Sequence, residues 1–231
     1  MSTSVHPRIA ILTLAIGADY RRDLAACLES KRAYATAHGY ELILAGEEYW
    51  DRSRPIAWSK VPFWLDILRR RAAEFDFLFI SDADVLMTNL KRSLDSLIVS
   101  LGDKDLMLTR DACGNINSGN MLLRCSAAKW LIDYFERVWA KTDDLYHIWW
   151  ENKAMLDILA ASPADMAHVK LLGDHKAMNA YIQGAPGEPL WEPGDLLVHF
   201  AGVYDTGTIR RLVEAIGRGE VPRLAVPGSS Q

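Results

Sequence analysis

The sequence predicts a single α/β domain on a doubly wound, Rossmann-like sheet, and three observations carry that prediction. Short apolar runs of strand length recur through the first half of the chain, and stretches with helical spacing of apolar residues separate them. The third run ends in two aspartates, at the edge where ligands of such sheets bind, beyond the carboxyl ends of the strands.

The elements follow in order. "RIAILTLAIG" (8–17) is a continuous apolar run closed by glycine, as a buried parallel strand requires. Residues 19–38 carry Leu24, Cys27, Leu28, Ala33 and Ala35 at helical spacing, and Gly39 stands at the C-cap position. "YELILAG" (40–46) is the second strand. After the polar loop "EEYWDRSRP" (47–55), residues 58–75 read as an amphipathic helix with Val61, Trp64, Leu65 and Leu68 on one face and Arg69, Arg70 and Arg71 near its end. "FDFLFIS" (75–81) is the third strand. The second half alternates less regularly: strand "DLMLTRD" (105–111), then "NINSGNMLLRC" (115–125) as a polar turn leading into a strand, helices over 126–141 and 151–161, strands "HVKLL" (168–172) and "LLVHFAG" (196–202), and a basic amphipathic helix over 209–216. Pro186, Pro189 and Pro193 with Gly184, Gly187 and Gly194 mark a long loop before the last strand.

Composition bounds the function. With 231 residues, half of them hydrophobic, the chain suffices for one sizeable core. A formal charge of -4 argues against a nucleic-acid partner, which normally demands a basic excess. Cys27, Cys113 and Cys125 show neither CxxC spacing nor neighbouring histidines, so reduced thiols are expected rather than a disulfide framework or zinc site. No signal peptide and no apolar run long enough to span a bilayer is evident. These features lead to the expectation of a cytoplasmic protein without a transmembrane segment, in peripheral contact at most with the inner membrane face.

"SDADVLMTN" (81–89) places Asp82 and Asp84 just past the third strand. Hard divalent cations such as Mn²⁺ or Mg²⁺ take carboxylate oxygens and keep open positions for phosphate oxygens, so the pair suggests a metal bridging to a diphosphate. Two chemistries use such a pair. "DADV" also matches the nucleophile motif of haloacid-dehalogenase-like phosphohydrolases. Against that reading, two strands and two helices precede the motif, and "GDKD" (102–105) follows too soon to be their last acidic pair.

The second chemistry fits more of the chain. "TLAIG", "AHGYEL" (37–42), "WSK" (58–60), the DxD of "SDADVLMTN", "NSGNMLLR" (117–124), "WENKAML" (150–156) and "HFAG" (199–202) occur in an order that resembles galactosyl/xylosyl/mannosyltransferase family 34. The resemblance implies a single GT-A domain over 1–231 with a mixed central sheet. It further implies a metal-dependent, retaining glycosyltransferase that moves a sugar from a UDP- or GDP-linked donor to a glycan or glycolipid, forming an α-glycosidic bond. A catalytically inactive sugar-binding module on the same fold is the non-enzymatic alternative.

Carried over residue by residue, the resemblance implies that Asp82, Asp84 and His199 hold Mn²⁺ or Mg²⁺ and that Gly202 lets backbone approach the diphosphate. Thr13, Ala15 and Gly17 would line base and ribose, Tyr20 would stack on the base, and Lys60 would place a charge near phosphate or donor sugar. Asn117, Ser118 and Gly119 would meet sugar hydroxyls, with Asp111 beside them. Glu151 and Asn152 would stand nearest the reaction, which proceeds either through a covalent glycosyl intermediate or by front-face attack. Asn152 stands where related enzymes often carry Gln. No lysine follows "HFAG" closely, so Tyr204, Arg210 or Arg211 would substitute for one that meets the diphosphate. One of Trp50, Trp58, Trp149 and Trp150 is expected to be an acceptor platform.

Overall fold

In the computed structural model, which describes residues 6–111, 115–143, 145–184 and 187–224, the apolar runs become a six-stranded sheet. Its strands are β1 (Ile9–Leu14), β2 (Glu41–Ala45), β3 (Phe77–Ser81), β5 (Leu106–Arg110), β6 (Ile116–Arg124) and β7 (Val169–Leu172), in the order β2-β1-β3-β6-β5-β7. Strands β1, β2 and β3 are parallel, as are β5 and β7, whereas β6 runs antiparallel to both β3 and β5, so the sheet is mixed. A separate two-stranded ribbon pairs β4 (Val85–Met87) with β8 (Leu197–His199).

Alternation along the strands divides the core. Ala10, Leu12, Leu78, Ile80, Met121 and Leu123 face α3 (Lys60–Arg71), α5 (Ala128–Ala140) and α6 (Trp150–Ala161) through Trp64, Leu68, Phe135 and Met155. Ile9, Ile11, Phe77, Phe79 and Leu122 face α2 (Ala25–His38) and α4 (Asp95–Leu101) through Tyr34, Ala35, Leu97 and Leu101. A third cluster of Leu24, Cys27, Leu86, Val198, Phe200 and Ile209 fastens the ribbon to α2 and to α9 (Thr206–Gly217).

Several elements differ from expectation for local reasons. The helix expected over 19–38 breaks at Leu24 (φ -95°, ψ 14°) into α1 (Ala18–Asp23) and α2, although Gly39 closes α2 in the left-handed conformation as expected. Pro62 is tolerated inside α3 because it falls in the first turn, where its missing N–H has no intrahelical partner to lose. The polar turn expected at 117–119 is instead strand: Asn117, Ser118 and Gly119 belong to β6, and Asp111 N donates to Asn115 O (2.6 Å) just before it. The strand expected over 196–202 keeps only Leu197–His199 and joins the ribbon. Helices α4, α7 (Pro163–Met166) and α8 (Lys176–Asn179) and strand β4 were not foreseen. Cys27 and Cys125 are buried free thiols; Cys113 and Pro186 lie outside the described residues.

Candidate active site

The carboxyl ends of β1 and β3, the start of α6 and the segment after β8 enclose a cavity of about 860 Å³. At its floor the chain turns sharply out of β3: Asp82 N donates to Gly119 O (2.7 Å), and Val85 N donates back to Asp82 O (3.2 Å). Because Val85 is paired with His199 in the ribbon and Phe200 N donates to Asp84 O (3.1 Å), the imidazole is set beside the turn. One ligand atom from each of Asp82, Asp84 and His199 lies within 4.8 Å of the other two.

Asn179 orients that imidazole. Its Oδ1 lies 2.8 Å from His199 Nδ1 and also accepts from Asn120 Nδ2 (3.0 Å), while its Nδ2 donates to Tyr181 OH (2.5 Å) and Thr109 Oγ1 (3.2 Å). An amide oxygen only accepts, so Nδ1 carries the hydrogen and Nε2 is turned toward Asp84 Oδ1, 3.4 Å away. Burial, only partly offset by Lys60, raises the proton affinity of Asp82. In Asp84 burial acts the same way but His199, Lys31 and Lys60 outweigh it, and its carboxyl is held below the usual range. Two carboxylates and an imidazole with a fixed tautomer fit a hard or borderline divalent cation such as Mn²⁺ or Mg²⁺.

Beside this cluster, Lys60 Nζ lies 3.1 Å from Asp82 Oδ2 and 2.6 Å from Glu151 Oε1. Burial opposes the lysine's charge, but the Asp82 and Glu151 carboxylates outweigh it, so the ammonium is held protonated above its usual range. Glu151 is 1% exposed; Ser118 Oγ donates to its Oε1 (2.9 Å), and its Oε2 has no hydrogen-bond partner among the described residues. Asn152 spends its Oδ1 on Ser118 N (2.7 Å), leaving its amide N–H groups for the cavity it lines.

Most of the residues expected from sequence converge here. Tyr20, Lys60, Asp82, Asp84, Asp111, Asn117, Glu151, Asn152, His199 and Gly202 line the cavity. Desolvation, and then Asp84 and Asp82, keep the Tyr20 phenol neutral well above its usual range. Thr13, Ala15, Gly17, Ser118 and Gly119 do not line it. Alternation turns Leu14 and Ile16 into the cavity instead, Thr13 Oγ1 donates to Ser81 O (2.8 Å), and Ala15 is fully buried. Gly17 (φ 100°) gives its N–H to Glu47 Oε1 (2.9 Å) as the chain enters α1. Ser118 acts through Glu151, and Gly119 makes room for His199.

Of the four tryptophans, Trp149 and Trp150 border the cavity, with Trp150 in the left-handed region (φ 42°). Trp58 is core, its indole N–H donating to Leu145 O (3.0 Å), and Trp50 lies beneath Arg52 outside the cavity. Tyr204 lines the mouth, whereas Arg211 pairs with Asp205 (3.5 Å) and neither it nor Arg210 reaches the lining. The sequence did not single out Asn120, Asn179, Tyr181 or Gln183. The only signal for Asn179 was an amide inside the otherwise apolar "AMNAYI".

Residues 6–111 and 98–209 match the model of the galactosyl transferase GMA12/MNN10 family. The chain belongs to this family. An uncharacterized alpha-1,2-galactosyltransferase of Schizosaccharomyces pombe is 23% identical over 258 aligned positions, covering 92% of this chain and 67% of that protein. Among solved structures, a glycosyltransferase involved in glycosylation of the major capsid of PBCV-1 superposes with a TM-score of 0.69 at 15% identity, over 90% of this chain and 99% of the other. Mouse xyloside xylosyltransferase 1 superposes at 0.52 and 12% identity, over 84% and 98% of the two chains. The fold is therefore GT-A, and this member of the GMA12/MNN10 family is a glycosyltransferase. Membership sets aside the phosphohydrolase reading of "DADV". No helix among the described residues is long and apolar enough to cross a membrane.

Proposed function

We propose that this protein is a metal-dependent, retaining glycosyltransferase, with residues 1–231 forming one GT-A domain. In this reading it moves galactose from a nucleotide-diphosphate donor to a hydroxyl of a glycan or glycolipid, forming an α linkage. The observation that carries the reading is the convergence of Asp82, Asp84 and His199 at the strand ends, with the Lys60 ammonium 3.1 Å from Asp82. The sugar itself is taken from the galactosyltransferase name of the fission-yeast relative.

Asp82, Asp84 and His199 would hold Mn²⁺ or Mg²⁺, which when bound supplies positive charge against the diphosphate leaving group. Leu14, Ile16 and Tyr20 offer an apolar bed for base and ribose, and Gly202 (φ 77°) lets backbone come close to the phosphates. Lys60 is fixed between Asp82 and Glu151, so its charge faces the reacting centre without reorganisation. The amide N–H groups of Asn152 are placed to donate to donor-sugar oxygens, while its committed Oδ1 makes it a poor nucleophile. The Glu151 carboxylate is tied to Lys60 and Ser118, which suits an electrostatic role on the face opposite the leaving group. Asp111 and Asn117 border the acceptor side with Trp149. A cytoplasmic location, in contact with the inner face of a membrane, belongs to the same reading.

The test incubates the purified protein with UDP- and GDP-sugars in Mn²⁺ or EDTA and follows nucleotide release and transfer to oligosaccharide acceptors. Mn²⁺-dependent release from UDP-galactose that is lost in Asp84→Ala, with an α-anomeric product by NMR, is expected. Binding of nucleotide-sugars without any turnover would favour the inactive sugar-binding module, and a β product would overturn retention.

A further inference from the structure

Lys31 is a fully buried lysine (0% exposed) on α2 that no step above uses. Its ammonium sits beneath the turn carrying the two aspartates, donating to Val85 O (2.5 Å) and Ala83 O (3.4 Å). The other carbonyls of that turn are already accounted for: Asp82 O accepts from Val85 N and Asp84 O from Phe200 N. The neighbouring Ser30 Oγ accepts from Met87 N (3.0 Å). Two successive residues of α2 thus satisfy backbone groups of Ala83, Val85 and Met87, which would otherwise be buried unpaired or drawn toward water.

A methylene chain alone would fill the same space, and burying an ammonium is costly. Burial lowers the Lys31 pKa to about 8 although Cys27, Asp84 and Asp82 act to raise it. The charge is therefore placed where its hydrogen bonds hold a loop and where it faces two carboxylates.

We propose that Lys31 is a positioning residue, whose hydrogen bonds to the carbonyls of Ala83 and Val85 hold the turn so that Asp82 and Asp84 face His199. The proposal rests on the metal-site reading above. Lys31 touches neither donor nor acceptor; it acts through the backbone on either side of Asp84.

The test compares wild type with Lys31→Met, which keeps length and loses the donors, and Lys31→Gln, which keeps an N–H donor without the charge. Two readouts apply: the affinity for Mn²⁺ alone, by calorimetric titration, and amide hydrogen exchange over residues 82–87 without metal. Lys31→Met is expected to weaken Mn²⁺ binding at least tenfold and to speed exchange in the turn at least tenfold, with Lys31→Gln within threefold of wild type in both. Lys31→Met that exchanges like wild type would overturn the proposal. So would Lys31→Gln failing as badly as Lys31→Met, since an N–H donor on that side chain would then hold nothing. Should Lys31→Met not fold, Lys31→Gln decides alone: retained affinity supports the proposal and a tenfold loss sinks it. Wild type that takes up no Mn²⁺, with exchange behaving as expected, would remove the metal reading and leave the anchoring of the turn in place.

Discussion

Gly119 has the imidazole of His199 packed against its Cα, so that a Cβ there would lie 2.2 Å from His199 Cε1 and 2.9 Å from Asn117 Oδ1. The ring cannot retreat, because it is 3% exposed and hydrogen-bonded to Asn179. Gly119→Ala is therefore expected to cost about 1–3 kcal/mol of stability, as overpacking does, and, on the proposed metal site, to lower Mn²⁺ affinity by displacing His199. Gly173→Ala, where a Cβ meets nothing within 4 Å, is the matched control for calorimetry and denaturant unfolding. Asn179 supplies a second residue-scale prediction. Asn179→Leu leaves Nδ1 of His199 without its acceptor, and loss of such an outer partner typically lowers metal affinity about 10–100-fold. Near-normal Mn²⁺ binding by Asn179→Leu would show that the ring needs no such guide.

Between elements, Asp165 of α7 ties that short helix to α5. Its carboxylate receives both Arg137 nitrogens at 2.8 Å and the Trp130 indole N–H at 3.0 Å, and Arg137 first among them holds it well below the usual carboxylate range. A carboxyl whose folded pKa is depressed contributes stability above its unfolded pKa of about 3.9, and that contribution fades as pH falls toward the folded value. Asp165→Asn should thus be less stable than wild type by about 2 kcal/mol at pH 7, with the gap closing below about pH 4. Urea unfolding at pH 7, 5 and 3 checks it; a gap independent of pH would mean that the charge is irrelevant. The longer elements were legible because runs such as "IAILTL" and "FLFIS" are each a full strand and the face of α3 spans three turns. β4, with three residues, holds little more than one repeat of the two-residue alternation, and α7 and α8 are single turns, so pattern had little to work on, while β8 was expected only as part of a longer strand. Asn117 to Gly119 misled because polar residues and glycine read as a turn, whereas in β6 Ser118 and Gly119 are buried against Glu151, Asn152 and His199 and Asn117 faces the cavity.

Across the whole molecule, the site is assembled from segments far apart in sequence: the turn after β3, the ribbon strand β8 and the first turn of α6. That Asp82, Asp84, His199 and Lys60 would meet was legible because their side chains carry recognisable chemistry, and they line one cavity. Which side chain of "TLAIG" faces the cavity was not, since an error of one residue inverts the face of a strand, and Leu14 and Ile16 took the places expected of Thr13 and Ala15. Because Asp82 and Asp84 are held close together beside His199, with Lys60 and Lys31 as near counter-charges, a cation with a nucleotide diphosphate, on the proposed reading, would bind the folded state and find no equivalent in the unfolded chain. Binding should then stabilise the entire domain by mass action. At ligand concentrations about 100-fold above Kd the gain is about 2.7 kcal/mol, or a rise in Tm of about 5–10 °C for a domain of this size. Mn²⁺ and UDP together are expected to produce that rise, EDTA to abolish it, and Asp84→Ala to be insensitive to both. An equal rise with UDP in EDTA would place the nucleotide on the protein without the metal, and Lys60 would become its principal counter-charge.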